Sequence, residues 1–545
     1  MQGLMMDYPL TLQHIFQRAE RLFPDREIVS KMPGGAIHRY TYGDFTRRAQ
    51  RLANALADLG VRPGDRVATC AWNHYRHLEL YFAIPCMGAV LHTLNVRLFP
   101  EQITYIVNHA EDKVLVVDES LLPLVQRLAP TFKSVQHYII MSDRGDIETT
   151  LAPAHDYEQL LDAAGSSFAW PRLDENQAAG MCYTSGTTGN PKGVAYSHRA
   201  LFLHSMGSAV ADSVGASERD TIFIVVPMFH ANAWGLPFTS TMVGAQQVYP
   251  SNNMQPRDLA TLIQDERATI AAGVPTLWIG LFQELQEREY DISSLHTLVV
   301  GGSAAPRAMI EGFEKRFGVP ILHAWGMTET SPLGTVSRLT PKLAAAGVEA
   351  RLAARARQGR PVPGVELRLV GDDGRELPWD GQSMGEVQIR GPWVIRSYYN
   401  DERSPASFSE DGWLRTGDVG VITPDGYIEL KDRTKDLIKS GGEWISSMDL
   451  ENAIMAHSRV LEAAVVAVPH SKWQERPLAV VVLRPGQSLT REELLDFLRL
   501  TIASWALPDD VVFVESLPKT SVGKFDKKVL RNQFREYQLP TDAGA

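Results

Sequence analysis

Residues 183–193 read YTSGTTGNPKG. Gly186 and Gly189 permit a tight loop, Thr184, Ser185, Thr187 and Thr188 bring hydroxyls, and Lys192 brings positive charge, a set suited to holding phosphate. The Walker pattern GxxxxGK[ST] needs glycine before its lysine and Ser or Thr after it. Pro191 and Gly193 occupy those two places, so phosphate contact survives as a reading and the P-loop NTPase fold does not. Alone, such a stretch reads equally well as a glycine/serine loop with no ligand. Further along lie HAWGMTETSP (323–332) with Glu329, GWLRTGDVG (412–420) with Asp418, KDRTKDLIKSGGEWIS (431–446) and PKTSVGK (518–524) with Lys524. As isolated charges these are a surface carboxylate, a turn aspartate and a solvated basic run, since Lys519, Lys527, Lys528, Arg531 and Arg535 surround Lys524.

Elements must hold such residues in place, and the chain is long enough to supply them. At 545 residues it exceeds one compact core and implies at least two domains. With 44% hydrophobic and 22% charged residues it reads as a folded protein. A formal net charge of -10 opposes unspecific adhesion to nucleic acid or anionic membrane. Cys70, Cys86 and Cys182 are odd in number and lack metal spacing, which fits a reducing cytoplasm. The opening MQGLMMDYPLTLQHIFQRAERLF does not resemble a secretory signal, and no apolar run is long enough for a membrane span, so a soluble protein is expected.

Leu12, Ile15, Phe16, Ala19, Leu22 and Phe23 recur at helical spacing. From Thr41, a plausible N-cap, Phe45, Ala49, Leu52, Leu56 and Leu59 share one face, and Gly60 stops the helix. A helix at EQITYIVNHA and strands at KVLVVD, HYIIM (137–141), TIFIVVPMF (221–229) and HTLVVGG (296–302) alternate, which predicts an α/β architecture with buried sheets. SDRGDIETTLAPAHD (142–156) reads as a loop and LAAAGVEARLAARARQ (343–358) as an alanine-rich surface helix. After the hinge-like KDRTKDLIKSGGEW the rhythm changes to helix LENAIMAH, strands EAAVVAV and PLAVVVL, helix TREELLDFLRL and a basic helical tail. The expected boundary falls near Asp432, dividing 1–431 from 432–545.

The five motifs, in this order over essentially the whole chain, resemble the acyl-adenylate-forming superfamily of acyl-CoA synthetases, adenylation domains and luciferases. The resemblance implies an α/β fold, with a large multi-subdomain N-terminal adenylate-forming domain and a small mobile α+β C-terminal domain. It implies ATP, Mg²⁺ and coenzyme A as cofactors. Thr184, Ser185, Gly186, Thr187, Thr188, Gly189 and Lys192 would wrap the β- and γ-phosphates, with Thr184 and Glu329 helping to hold Mg²⁺. Gly302, Ser303 and Ala304, with His323, Ala324, Trp325, Gly326, Met327 and Thr328, match the nucleotide pocket. Trp325 stands where many relatives carry Tyr, a change that stacking survives. Asp418 would accept from the ribose hydroxyls, Arg433 and Lys435 would lie near ribose and phosphate, and Asp432 would be the pivot. Lys524 would be the catalytic lysine of adenylation, bridging carboxylate oxygen and α-phosphate. A second domain orientation would bring Lys439, Ser440, Gly441, Gly442, Glu443 and Trp444 to the pantetheine tunnel.

The acyl site implied by PMFHANAWG (227–235) and GVPT (273–276) offers Phe229, Ala231, Ala233, Trp234 and Val274 and no carboxylate for an ammonium. Amino-acid-activating relatives tend to place Asp where His230 stands, which favours an apolar tail. His230 approaches the reacting carboxylate or thiol, or else is a hydrogen-bonded core histidine; Trp234 gates an acyl tunnel, as proposed for long-chain members, or is fixed core. The motifs are similar to those of medium- and long-chain fatty acyl-CoA synthetases, and related enzymes act on short acids such as methylthio-propionate. A homodimer joined through the N-terminal region is expected, although the apolar face of residues 12–23 fits an internal contact equally. The rival readings are an adenylation domain serving a carrier protein, a luciferase-like oxidation and a non-catalytic nucleotide-binding regulator.

Overall fold

The computed structural model describes residues 1–145, 147–184, 190–441, 443–519 and 525–540, with Glu443 described by its backbone alone. The chain divides into two compact units, residues 1–366 with 390–414 and residues 367–389 with 415–545.

Among the described residues, the first unit holds two large sheets with helices packed on them. One has nine strands, in the order Arg360–Pro361, Leu333–Val336, Ile321–Gly326, Thr297–Val300, Ile270–Gly273, Thr221–Ile224, Gln246–Tyr249, Glu27–Lys31, Ile37–Thr41. The six strands from Ile321–Gly326 to Glu27–Lys31 run parallel. The other has seven, in the order Ala154–Asp156, His137–Met141, Asp112–Asp118, Arg66–Cys70, Val90–Thr93, Ala178–Tyr183, Gly193–Ser197, and only the last pairing is antiparallel. Parallel strands covered on both faces need continuous apolar side chains. Val114, Leu115, Val116 and Val117 supply them and are fully buried.

The helix Tyr42–Asp58 forms as its sequence requires. Thr41 Oγ1 accepts from Asp44 N, the Asp44 carboxylate accepts from Thr41 N, and this capping box contributes about 1 kcal/mol. Gly60, at φ +85°, closes it. In the helix Leu12–Leu22, Leu12, Ile15, Phe16 and Ala19 are buried, with Phe16 edge-on to Phe45 and Trp170. Its apolar face is therefore used inside the unit, and Leu22 is exposed instead. TIFIVVPMF is a strand only over Thr221–Ile224, because Asn73 Nδ2 donates to the Ile224 and Val226 carbonyls, and Met228 N donates back to Asn73 Oδ1. LAAAGVEARLAARARQ is two helices, Pro341–Ala344 and Val348–Ala356, parted at Gly347. Three short segments that the sequence left unassigned, Ile37–Thr41, Leu333–Val336 and Arg360–Pro361, form antiparallel edges of the nine-stranded sheet.

The second unit holds a sheet in the order Glu376–Leu377, Glu366–Val370, Gly385–Arg390, Leu414–Ile422, Ile428–Arg433. A further sheet is built on the long hairpin Val460–His470 and Gln474–Leu483, with Asp510–Phe513 parallel to the latter. The helices Ser447–Met455 and Arg491–Leu498 cover one face, burying Leu450, Ile454, Leu494 and Leu498. The helix Lys527–Gln533 covers the other face through Leu530. No described helix is long and apolar enough to cross a membrane.

Candidate active site

In the first unit, YTSGTTGNPKG is the connection of an antiparallel pair, with Tyr183 opposite Gly193. Thr184 N donates to Lys192 O at 3.0 Å and Lys192 N to Thr184 Oγ1 at 3.3 Å, which closes the loop neck. A Cβ on Gly193 would stand 3.0 Å from the Tyr183 ring, so a side chain there would push on that ring. Ser185, Gly186, Thr187, Thr188 and Gly189 lie outside the described residues.

HAWGMTETSP is likewise folded back on itself. The strand Ile321–Gly326 turns through Thr328–Thr330 into Leu333–Val336, and Met327 N donates to Pro332 O. A Cβ on Gly326 would fall 1.7 Å from Pro332 O. Tyr196 OH donates to Thr328 O at 2.8 Å, joining the phosphate-loop hairpin to this turn. Glu329 is 7% exposed, and its Oε1 accepts from Tyr398 OH at 2.7 Å. Lys192 Nζ stands 4.3 Å from the Tyr398 ring centroid and 3.3 Å from Ser407 Oγ. Burial, then the Glu329 charge, raises the Tyr398 pKa, so the phenol stays a donor.

Lys192 and Glu329 thus meet through a tyrosine that sequence reasoning did not single out. Tyr398 lies in RSYYN, which carries neither periodicity nor a catalytic spacing. For Mg²⁺ the donor chemistry is suitable. Glu329 offers a second oxygen with no hydrogen bond among the described residues, Thr184 offers a hydroxyl, and Mg²⁺ ordinarily takes one or two carboxylates together with substrate phosphates.

Gly302, Ser303 and Ala304 follow the strand Thr297–Val300, and Gly302 has φ +82°. Trp325 is 8% exposed, and a Cβ on Gly334 would meet its ring at 2.9 Å. His323 is a core residue whose Nδ1 contacts Ala356 O at 3.0 Å, and burial lowers its pKa to about 4. Ala324 is buried, and Met327 and Thr328 are half-buried.

Where the sequence predicts the acyl site, the backbone is unusual. Ala231, Asn232, Ala233 and Trp234 have φ of 43°, 53°, 50° and 56°, and Gly235 continues at 71°. A left-handed turn costs roughly 1–2 kcal/mol per non-glycine residue, so its surroundings must over-determine it. Ala233 N donates to His230 O and Gly235 N to Asn232 O, and Gly235 is packed so closely that a Cβ would sit 2.6 Å from the His204 ring. Periodicity gives no sign of such a turn. Trp234 is half-buried against Gly301, whose Cβ position lies 3.0 Å from the indole. Phe229 is buried, edge-on to Trp72 at 6.3 Å and beneath the Arg97 guanidinium at 6.0 Å. His230 and Val274 are half-buried, and Ala231 is buried.

In the second unit, Asp418 is 5% exposed and pairs with Arg433 Nε at 2.5 Å across adjacent strands. Lys435 is exposed two residues beyond. Ile438–Ser440 and Glu443–Ile445 form a hairpin. There Lys439 Nζ lies 4.6 Å from the Trp444 ring centroid, and Ser440 Oγ accepts from Arg476 at 2.9 Å. Gly441, at φ +61°, packs against Trp473, where a Cβ would stand 2.5 Å from the ring. Gly442 and Lys524 lie outside the described residues, as does the Glu443 side chain.

The sequence matches the AMP-binding enzyme family over residues 16–399 and the AMP-binding enzyme C-terminal domain over 449–524. It is 50% identical to a long-chain-fatty-acid–CoA ligase of Thermus thermophilus, over 98% of this chain and 97% of that one. It is 46% identical to a 3-methylmercaptopropionyl-CoA ligase of Ruegeria pomeroyi, over 98% and 99%. The fold is similar to that of the anthranilate CoA ligase AuaEII solved in complex with anthranoyl-AMP, with TM-score 0.85, 26% identity and coverage of 97% and 98%. Phosphate-loop hairpin, acidic turn and full-length similarity agree, and the chain belongs to the AMP-binding enzyme family.

Proposed function

We propose that the protein is an acid–thiol ligase that joins a medium- or long-chain fatty acid to coenzyme A at the expense of ATP, through an acyl-adenylate. The observation that carries the reading is the Lys192–Tyr398–Glu329 arrangement at the neck of the phosphate loop. A carboxylate is a poor electrophile because oxide would have to leave. In the first half-reaction the acid's oxygen attacks the α-phosphorus in line, the bond to the bridging oxygen breaks and pyrophosphate departs. In the second, the coenzyme A sulfur attacks the acyl carbon, its proton passes to solvent and AMP leaves.

Lys192 and the loop 184–192 grip the β- and γ-phosphates, the part discarded. Glu329 and Thr184 would hold Mg²⁺, which when bound would supply positive charge to offset that of the phosphates. Trp325 and residues 302–304 line the adenine, and Asp418 takes the ribose hydroxyls, which requires it to exchange its bond from Arg433 or share it. Lys524 supplies positive charge between carboxylate and α-phosphate. Asp432 is the pivot between a region 1–431 and a mobile region 432–545, whose second setting offers Lys439 to Trp444 to the pantetheine. Phe229, Ala231, Trp234 and Val274 bound the acyl tail, and His230 faces the reacting carboxylate.

The 50% identity to the Thermus thermophilus long-chain ligase supports a long tail, and the absence of a carboxylate in PMFHANAWG supports an apolar one. The 46% identity to the methylmercaptopropionyl-CoA ligase supports a second reading, a short thioether acid. Acyl-CoA formation over acids from propionate to oleate separates them. A maximum at medium or long acids is expected; a maximum at short acids overturns the fatty-acid assignment, and no turnover with any acid overturns the ligase. The protein acts in the cytoplasm, in keeping with its three buried free cysteines. It acts as a homodimer, for which the exposed Leu4, Met5 and Met6 offer apolar surface; a monomer by sedimentation contradicts this.

A further inference from the structure

Lys527 stands three residues beyond Lys524, at the start of the helix Lys527–Gln533. It reads in the sequence as one more cation of a basic tail, yet its side chain is only 15% exposed. Its Nζ donates to Ser447 Oγ at 2.5 Å and lies 2.8 Å from Glu451 Oε1. Ser447 passes the contact on, donating from Oγ at 2.5 Å and from its backbone N at 2.7 Å to Asp432 Oδ2. Glu451 Oε1 also accepts from Val465 N at 2.7 Å. One ammonium thus serves two carboxylates, Asp432 and Glu451, that are 3% and 8% exposed. Burial raises the pKa of both, and the Lys527 charge is the largest opposing influence on each. Removing one partner from a buried ionic cluster leaves uncompensated charge, so both carboxylates depend on the Lys527 ammonium.

The described residues on either side of 520–524 are tied down. Lys519 pairs with Phe525 across an antiparallel bridge, Asp526 N donates to Pro518 O at 2.8 Å, and Lys519 Nζ lies 2.5 Å from Glu462 on the strand Val460–His470. On the far side, the next cation after the segment is Lys527. Arg531, one helical turn on, pairs with Asp436 and adds a second tie to the chain just past Asp432.

We propose that Lys527 is a positioning residue whose ammonium, relayed by Ser447, fastens the Lys524 segment to the pivot Asp432, so that pivot setting and lysine placement change together. The proposal rests on the ligase reading and on Asp432 as pivot. Thioester formation does not use Lys524, so loss of Lys527 separates the two half-reactions, whereas a merely structural residue would depress both.

The test is single-turnover kinetics on the full chain with the fastest acid of the propionate-to-oleate panel. For Lys527→Met, adenylate formation falls about 30-fold with KM for ATP unchanged, coenzyme A transfer from synthetic acyl-adenylate stays within about threefold, and Lys527→Arg restores most of the loss. Ser447→Ala cuts the relay while leaving Lys527 paired with Glu451; it gives the same split at smaller size and covers the case in which Lys527→Met does not fold. Proportional loss of both half-reactions in a folded variant, or no loss of adenylation, overturns the proposal. Absence of adenylate with the wild-type chain instead overturns the ligase reading on which it rests.

Discussion

The hydroxyl of Tyr398 donates a 2.7 Å hydrogen bond to Oε1 of Glu329, a residue 69 positions earlier in the chain, and the same ring lies 4.3 Å from Lys192 Nζ. One aromatic side chain thereby holds both the candidate metal-binding carboxylate and the candidate phosphate-binding lysine. Tyr398→Phe keeps the ring under Lys192 and deletes only the hydrogen bond. A bond to a charged group is worth about 1.5–3 kcal/mol, so pyrophosphate release should fall about 10- to 100-fold, and the Mg²⁺ concentration for half-maximal rate should rise. An unchanged Mg²⁺ dependence would remove Tyr398 from the site.

Lys192→Met should raise KM for ATP about 10-fold or more and leave AMP affinity within about twofold, because the proposed contact is with phosphates that AMP lacks. Parallel titrations of ATP and AMP check this. Equal weakening of the two would place Lys192 elsewhere on the nucleotide.

Much of the scaffold is legible in the chain because it is local. The helix Tyr42–Asp58 follows from an N-cap, an apolar face and a glycine stop, and the strand Asp112–Asp118 from a valine run between turn signals. The order of strands in the two large sheets, and the division that groups 367–389 with 415–545, depend on pairings between segments distant in the chain, such as Val29 opposite Val248. The site divides in the same way. Thr184, Lys192, Glu329 and Asp418 announce themselves in motifs, whereas Tyr398 and Tyr196 contribute one hydroxyl each at long range. Lys527 was hidden by company: a charge run normally marks solvent, and only the fold shows which lysine turns inward.

Gly235→Ala should destabilise the first unit by about 2–4 kcal/mol. The position has φ +71°, and the new methyl would meet the His204 ring at 2.6 Å, so backbone strain and overpacking act together. Chemical denaturation measures the loss. A change below about 0.5 kcal/mol would mean that the left-handed turn at 231–235 is not held as described.

Burial lowers the pKa of His198, His204 and His323 to about 4 each. The unfolded chain binds protons on these residues near pH 6.5 and the folded chain does not, so their contribution is fully present above pH 6.5 and is lost as pH falls toward 4. Denaturation midpoints should decline steeply through that window, and His323→Gln should flatten the decline. A midpoint independent of pH between 6.5 and 4 would show that these histidines charge without unfolding.

In the proposed reaction the α-phosphate of ATP is handed to the acid's oxygen while the β- and γ-phosphates are held as the leaving group. The direct measurement is turnover of a carboxylic acid labelled with ¹⁸O at both oxygens, with ATP, Mg²⁺ and coenzyme A, followed by mass analysis of the nucleotide. One ¹⁸O in each AMP formed and none in pyrophosphate is the expected result. Label in inorganic phosphate with release of ADP, or AMP free of label, would contradict it.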